Sequence, residues 1–334
     1  MFQRKALIFA LCIAALSDAT ITRALWPQGF AYDFAVFWRT VHGPISQIYA
    51  DSPDPFVYPP TGLLWFELLR LAPFWPSFIA WSILSLAAFW FASGRLVGRT
   101  PAWLAVASPA VVLGLIPGQT ALLASAGLLT AYAVRSPIAR GILLGLTVTL
   151  KPQLVLLAPL VLLVQGELAA LAAMTLVAGA LAALATALFG AGIWAAWMQS
   201  IPHFQQVLIE RHLSLSAVSP ASYAQQLGVP AILALAGGVL AGLLVALRSK
   251  ELGPARTAAA IAAASLLAAP YALRYDLVAL MPLVAGTILA ESDRRGFVAS
   301  LAYSAILGPL SIVAALPSIF QKTLGRVSSA PAPS

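Results

Sequence analysis

Long runs of apolar residues dominate the chain, and short polar stretches separate them. A helix needs about 20 apolar residues to cross a bilayer, although shorter helices can serve beside a cavity. The pattern therefore predicts an all-α polytopic membrane protein with about eleven crossings, within a range of ten to twelve. The predicted spans are residues 6–25, 75–94, 101–116, 119–134, 138–150, 152–164, 168–190, 229–247, 255–269, 275–291 and 297–316.

One apolar segment, residues 59–73, is too short to be assigned by hydropathy alone. It would be about 21 Å long as a helix, and it carries Glu67 and Arg70. If it crossed the membrane, every later arginine cluster would lie on the opposite side. We therefore expect an interfacial or re-entrant helix, and an arrangement of twelve crossings that counts this segment stays open.

Two long extracytoplasmic loops are expected, over residues 26–58 and 191–228. In the first loop, the apolar residues at 34, 37, 38 and 41 follow helical spacing. This spacing predicts an amphipathic helix that lies on the membrane surface.

Composition and charge support a membrane protein. The chain is 61% hydrophobic and 9% charged, whereas soluble domains are about 25% charged. A soluble enzyme, a disordered protein and a DNA-binding domain are thereby excluded, and no nucleic-acid partner is expected. The basic residues fall in clusters between apolar runs, which is typical of cytoplasmic loops in a lipid bilayer. The clusters are Arg4/Lys5, Arg95/Arg99, Arg135/Arg140, Arg248/Lys250/Arg256 and Arg294/Arg295.

The two ends of the chain allow further expectations. The basic start and the following apolar stretch could form a signal peptide that is cleaved near Ser17-Asp18-Ala19. The apolar stretch continues as far as Trp26, which favours an uncleaved first span. We expect a single membrane domain over residues 1–320 and a disordered tail over 321–334, where Ser, Pro and Ala are frequent.

Two ionisable residues stand at expected helix boundaries. Asp33 lies at the start of the amphipathic helix, where it could be an N-cap or take part in chemistry. Lys151 stands between two apolar runs, next to Pro152, which breaks the helix. A lysine at such a break could neutralise a phosphate, or its ammonium group could extend to the membrane interface.

Other polar residues on the expected outer side are candidates for substrate contacts. Arg274 breaks the pattern of cytoplasmic positive charge, which either a salt bridge with Asp276 or an anionic headgroup would explain. Arg39 could orient an acceptor or pair with Asp51. The remaining candidates, each of which could equally have a structural role, are Tyr58, Gln119, His203 and Tyr275.

Short motifs that are individually weak occur along the chain in a specific order. They are Tyr32-Asp33-Phe34, Tyr49, Phe56-Val57-Tyr58-Pro59-Pro60, Gly118-Gln119, Gly141-Ile142-Leu143-Leu144-Gly145-Leu146 and Lys151-Pro152. Together they resemble the family 87 glycosyltransferases, which are integral membrane enzymes of the GT-C fold. The resemblance covers roughly residues 1–165, and a weaker similarity occurs between Ala269 and Pro282.

The resemblance implies a GT-C-type helix bundle and a reaction. The family transfers a sugar, usually mannose, from a polyprenyl-phosphate donor to a glycan or lipid acceptor outside the cytoplasm. By this resemblance the general base is an aspartate in the first extracytoplasmic loop, and Asp33 is the matching residue. Lys151 and Arg274 would then bind the donor phosphate, and Tyr58 and Gln119 would orient the donor.

The hypothesis that combines these expectations is an inverting transferase that needs no metal and no cofactor. Its membrane would be a bacterial inner or cell membrane, with the active site facing the periplasm or the exterior. A transporter or flippase for a lipid-linked or small anionic substrate would also place cations in a cavity, and a non-catalytic membrane subunit is a third hypothesis. Long, asymmetric outer loops favour the enzyme.

Overall fold

The computed structural model of the chain describes residues 2–25, 29–50, 52–211, 217–291, 294–305 and 307–320. Within these ranges the regular structure is helical, apart from an isolated antiparallel β-bridge between Ala217 and Leu273. The predicted all-α class is therefore confirmed. The α-helices in chain order are α1 Phe2–Leu25, α2 Tyr32–His42, α3 Pro60–Phe66, α4 Phe74–Val97, α5 Arg99–Val106, α6 Pro109–Leu115, α7 Ala121–Ala133, α8 Pro137–Leu150, α9 Ala158–Val164, α10 Leu168–Phe189, α11 Gly192–Glu210, α12 Pro220–Gln226, α13 Ala231–Leu247, α14 Pro254–Ala268, α15 Met281–Ala290, α16 Arg294–Tyr303 and α17 Leu310–Ile319.

Several described helices have the length and hydropathy of membrane spans. Three segments are long and apolar enough to cross a bilayer, namely α4, α10 and Ala231–Glu251, which contains α13. Shorter apolar helices of 10–17 residues accompany them, including α7, α8 and α14. These helices indicate an integral membrane protein with several spans. The count of eleven crossings and the uncleaved first span stay predictions, and the tail over 321–334 lies outside the described residues.

Two spans that we predicted as single helices are each divided into two. The segment 101–116 is interrupted at Ser108, and α6 begins at Pro109, which has no backbone N–H to continue the preceding helix. The segment 297–316 is interrupted before Pro309, where Gly308 has a φ of 55°. In both places hydropathy continues across the interruption, so the apolar pattern alone did not reveal it.

Two further predicted spans begin with 3-10 turns. In the segment 152–164, the turn Pro152–Leu154 precedes α9. In the segment 275–291, the turn Arg274–Leu280 precedes α15. Both turns lie beside the candidate site described below.

The predicted extracytoplasmic loop over 191–228 is mostly helical, and its position outside the membrane stays a prediction. Its main element is α11, a helix of 19 residues. Apolar residues such as Ile193, Trp197 and Ile201 recur at helical spacing along it. Interspersed polar residues and the internal Pro202 lower the hydropathy, so the segment does not read as a span.

The short helix predicted within 59–73 is confirmed. It consists of α3 and the 3-10 turn Glu67–Leu71, whose Glu67 and Arg70 form an ion pair at 2.7 Å. The expected interfacial or re-entrant position of this helix stays a prediction.

The core is centred on α14, in which every residue from Thr257 to Ala268 is buried. A helix without a polar face must be surrounded by other helices. Small residues let its neighbour α13 approach closely: a Cβ at Gly238 would lie 2.2 Å from Leu267 O, and one at Gly242 would lie 2.5 Å from Ala264 O. Glycines four residues apart typically form such contacts between membrane helices. This packing fixes the end of α14, from which the chain enters the candidate site.

We expect Gly238→Ala to lower the thermal stability of the detergent-purified protein, since a methyl group would clash with the backbone of α14. Overpacking of this kind costs about 1–3 kcal/mol. Gly237→Ala is the matched control, because no atom lies within 4 Å of a Cβ at Gly237, and the higher helix propensity of Ala makes it neutral or slightly stabilising. Equal melting temperatures for the two variants would contradict the close α13–α14 contact.

Candidate active site

The first turn of α2 is docked on the turn that precedes α7. The Ala31 amide donates to Ile116 O and the Phe34 amide donates to Pro117 O, both at 2.9 Å. Gly118 has a φ of 79°, and a Cβ there would lie 2.6 Å from the Cβ of Phe34. Only glycine allows this approach, which brings the start of α2 against the start of α7.

Asp33 is the second residue of α2, and the N-cap position belongs to Ala31. The Phe34 amide of the first turn is already bonded to Pro117 O. The alternative role of Asp33 as an N-cap is therefore wrong. The Asp33 side chain lines a cavity instead.

This central cavity has a volume of about 710 Å³, part of it open to solvent. It lies between α2, the segment 54–58, the start of α7, the end of α8, the C-terminal half of α11 and the segment 271–275. Five of the predicted site residues line it: Asp33, Tyr58, Gln119, Lys151 and Tyr275.

Gln119 connects the polar groups at the floor of the central cavity. Its Oε1 accepts a hydrogen bond from Tyr58 Oη at 2.9 Å and lies 3.5 Å from Lys151 Nζ. Its Nε2 donates to Tyr275 Oη at 3.2 Å. The Tyr58 hydroxyl also lies 2.8 Å from the Thr120 hydroxyl. Tyr58 and Gln119 are thus fixed by protein contacts at the cavity wall, and Tyr58 is buried.

Lys151 forms a buried ion pair with Asp276. Its Nζ lies 2.8 Å from Asp276 Oδ1, and each side chain is 1% exposed. The other oxygen of Asp276 accepts the Leu273 amide at 3.0 Å, and Lys151 Nζ stands 4.6 Å from the centroid of the Tyr275 ring. Asp276 therefore pairs with Lys151, and Lys151 is not a lysine that extends to the membrane interface.

A second charged cluster lies at the rim of the central cavity, around Asp54. Arg211, at the end of α11, donates to Asp54 Oδ1 at 3.0 Å and to Tyr32 Oη at 2.6 Å. Tyr32 in turn donates to Asp54. Arg39 approaches the other oxygen of Asp54 at 3.3 Å. Two cations thus surround one carboxylate, so the rim has a surplus of positive charge.

The two aspartates of the central cavity differ in proton affinity. Enclosure by protein, which disfavours the charged form, raises the pKa of Asp33 from 3.8 to about 6, although a hydrogen bond with Gln119 and the charge of Lys151 act in the opposite direction. Burial also acts to raise the pKa of Asp54, but hydrogen bonds from Tyr32, Arg211 and Arg39 outweigh it and hold that pKa below its usual value. Asp33 is therefore the carboxylate that can exchange a proton near neutral pH.

The other predicted site residues lie elsewhere. Arg274 does not line the central cavity, although its neighbours Leu273 and Tyr275 do. His203 Nε2 lies 2.9 Å from Ser52 O, where it holds the segment before Asp54. Arg39 is at the rim, as described. Asp51, its alternative partner, lies outside the described residues.

An apolar groove of about 950 Å³ continues from the central cavity. Five residues line both spaces: Val57, Tyr58, Gln153, Phe204 and Tyr271. Beyond them the groove is lined by Pro59, Pro152, Leu156, Trp197, Ser200, Ile201, Gln205 and Pro270. A cavity that contains charged side chains thus opens directly into an apolar groove.

Sequence reasoning placed Asp54 and Arg211 among the polar residues of the expected outer side but did not predict their mutual contact, and it expected an apolar groove without locating its lining. Asp54 and Arg211 stood in the segments read as loops, without a motif to single them out. The recurrence of apolar residues along 193–208 was the signal that could have revealed α11, which carries both Arg211 and one wall of the groove. In the described part of the chain, no three acidic, histidine or cysteine side chains converge as a candidate metal site.

Loss of one partner of the Lys151–Asp276 pair should strongly destabilise the protein. An uncompensated buried charge costs about 3–5 kcal/mol, so Asp276→Asn should markedly lower the melting temperature in detergent. Glu67→Gln is the control, because the Glu67–Arg70 pair is 35% and 48% exposed and such pairs contribute about 0–1 kcal/mol. The double variant Lys151→Met, Asp276→Leu should recover much of the loss. A drop for Asp276→Asn no larger than that for Glu67→Gln would contradict the buried pair.

Comparison with family models identifies the chain. The model described as Glycosyltransferase family 87 matches residues 56–289, more than two thirds of the 334 residues. The matched region contains Tyr58, Gln119, Lys151 and Asp276, and it ends within α15. Searches of curated proteins and of solved structures give no match. The chain belongs to glycosyltransferase family 87, and this membership implies that it transfers a sugar from a donor to an acceptor.

Proposed function

We propose that this protein transfers mannose or another hexose from a polyprenyl-phosphate donor to a glycan or lipid acceptor. The reaction takes place on the extracytoplasmic side of the membrane, and the anomeric configuration is inverted. One domain over residues 1–320, a GT-C-type bundle, carries both substrates. The protein would be a hexosyltransferase of the cell envelope.

The observation that carries this proposal is the junction of the central cavity with the apolar groove. A polyprenyl-phosphate sugar has a hydroxyl-rich head, one phosphate and a long apolar chain. The central cavity offers charged and hydrogen-bonding groups to the head, and the groove offers Leu156, Trp197 and Ile201 to the chain. Burial of a prenyl chain contributes about 0.8 kcal/mol for each CH₂ group, so this groove would favour a lipid-linked donor over a nucleotide sugar.

Asp33 is the general base of the proposed reaction. Its carboxylate takes the proton of the acceptor hydroxyl while that oxygen forms a bond to the anomeric carbon. The bond from the anomeric carbon to the phosphate oxygen breaks at the same time, and polyprenyl phosphate leaves with the electron pair. Attack from the face opposite the phosphate inverts the configuration. The raised pKa of Asp33 supports this role, because a base is most effective when its pKa is near the working pH.

The donor phosphate would lie between Lys151 at the floor and Arg211 at the rim. Both side chains line the central cavity, and cations aimed at the leaving group stabilise the charge that develops there. Our expectation that Arg274 shares this role has no support from the geometry, because Arg274 does not line the cavity. Tyr58, Gln119 and Tyr275 form the wall against which the sugar would be oriented.

The direct test is the release of polyprenyl phosphate from radiolabelled polyprenyl-phosphate hexoses by the purified protein in liposomes. We expect release by the wild type and a loss of about 10²–10⁴-fold in Asp33→Asn, the range typical of a missing general base. Glu210→Gln is the matched control, because it makes an equivalent change at the exposed end of α11, where Glu210 accepts a hydrogen bond from Gln206.

Two outcomes would contradict the proposal. Asp33→Asn with nearly full activity would mean that another group is the base. Movement of the intact lipid-linked sugar across the membrane without release of polyprenyl phosphate would identify a flippase instead.

The pH profile gives an independent prediction. Since Asp33 acts as a carboxylate, kcat/KM should be lost as the pH falls through the pKa of the free enzyme. Burial raises that pKa from 3.8 to about 6. We therefore expect a plot of log kcat/KM against pH to rise with unit slope below about pH 6 and to level off above it. If kcat/KM is lost only near pH 4, the base is a solvated carboxylate elsewhere in the protein.

A further inference from the structure

A second cavity adjoins the central cavity at Asp54 of the rim, and we call it the side cavity. It has a volume of about 580 Å³. Three residues line both the central cavity and the side cavity: Val36, Asp54 and Phe56. The central cavity thus shares lining residues with two different spaces, the apolar groove and the side cavity.

The lining of the side cavity is rich in hydrogen-bonding side chains. The polar residues are Arg39, Thr40, Gln47, Ser52 and Asp54. Between them they offer guanidinium and amide donors, hydroxyls and a carboxylate, and Phe56 adds an aromatic surface. A sugar presents hydroxyls around an otherwise apolar ring, so it can use both kinds of surface. The apolar groove has the opposite character and would not accept such a ligand.

The geometry of α2 connects the side cavity with the base. Asp33, Val36 and Thr40 are three and then four residues apart, so they lie on one face of the helix. Asp33 and Val36 line the central cavity, while Val36 and Thr40 line the side cavity. Seven steps of α-helix span about 10 Å, so a ligand that reaches from Thr40 to Asp33 would need more than one sugar ring.

The wall between the two cavities can adapt to a ligand. Arg39 pairs with Asp54 at 3.3 Å, but its side chain is 59% exposed, and exposed pairs are held by about 0–1 kcal/mol. Asp54 keeps its place without Arg39, because Arg211 and Tyr32 also bond to it. Arg39 can therefore turn toward a hydroxyl-rich ligand while Asp54 keeps its bonds to Arg211 and Tyr32.

We infer that the side cavity is the acceptor subsite and binds the carbohydrate part of the acceptor. This inference rests on the proposed function, because it assigns the second substrate of that reaction. The donor would enter along the apolar groove and the acceptor from the side cavity, so that the two meet at Asp33. A free glycan and the headgroup of a glycolipid share the chemistry that this cavity recognises.

The test uses methyl and octyl glycosides of mannose, glucose and galactose as probes. Gln47→Cys is made in a Cys12→Ser background, because Cys12 is the one cysteine of the chain and is exposed. Gln47 is exposed and lines the side cavity, so a maleimide should label the introduced thiol. We expect at least one glycoside to slow this labelling. Protection by octyl glycosides alone would indicate a lipid-linked acceptor, and protection by methyl glycosides a soluble glycan.

Transfer kinetics with the protecting glycoside give the second measurement. Gln47→Ala should raise the KM for that glycoside about tenfold, as expected for the loss of one hydrogen bond of about 1.4 kcal/mol, while the KM for the donor stays unchanged. Gln206→Ala is the control, because Gln206 is an exposed residue of α11 that does not line the side cavity. It should change neither constant.

The inference is overturned if no glycoside slows the labelling of Gln47→Cys, or if Gln47→Ala leaves the acceptor KM unchanged. Failure of the proposed function is a different result. In that case the wild type would release no polyprenyl phosphate from any donor, with or without an added glycoside.

Discussion

The ion pair between Lys151 and Asp276 is the contact on which the site depends. It joins the end of α8 to the turn that follows α14, and both side chains are 1% exposed. Two charges withdrawn from water this completely must remain paired, so the pair fixes how these two segments meet. Tyr275 and Gln119 are held against the same ammonium group. The floor of the central cavity is thereby rigid, and a rigid polar floor is what a preorganised transferase site requires.

The position of Asp33 depends on a second constraint, the close approach of Phe34 to Gly118. Because α2 is docked on the turn before α7, Asp33 faces the floor that Lys151 and Gln119 form. Around this point the protein places an apolar groove, a charged rim and a polar side cavity. The proposed amphiphilic donor and hydroxyl-rich acceptor would need this division of surfaces, since each would reach Asp33 from a surface of its own chemistry.

Much of the fold could be predicted from the sequence, because a long apolar segment in a bilayer must satisfy its own backbone hydrogen bonds and therefore forms a helix. The helix breaks at Pro109 and Pro309 were missed, since hydropathy continues across them. The predicted residues that line the central cavity stand next to helix breaks, where polar, proline or glycine residues interrupt the apolar runs of the sequence. Arg274 also stands at such a boundary but does not line the cavity, whereas Asp276, two residues later, pairs with Lys151. That pairing joins residues far apart in the sequence, and no local pattern encodes it.

The most direct test of this arrangement is the structure of the protein with a phosphonate analogue of a polyprenyl-phosphate hexose, which cannot release its sugar. The arrangement predicts the sugar beside Asp33, the phosphonate between Lys151 and Arg211, and the prenyl chain along Trp197 in the apolar groove. A phosphonate bound away from both cations, or a prenyl chain outside a groove that stays empty, would contradict it.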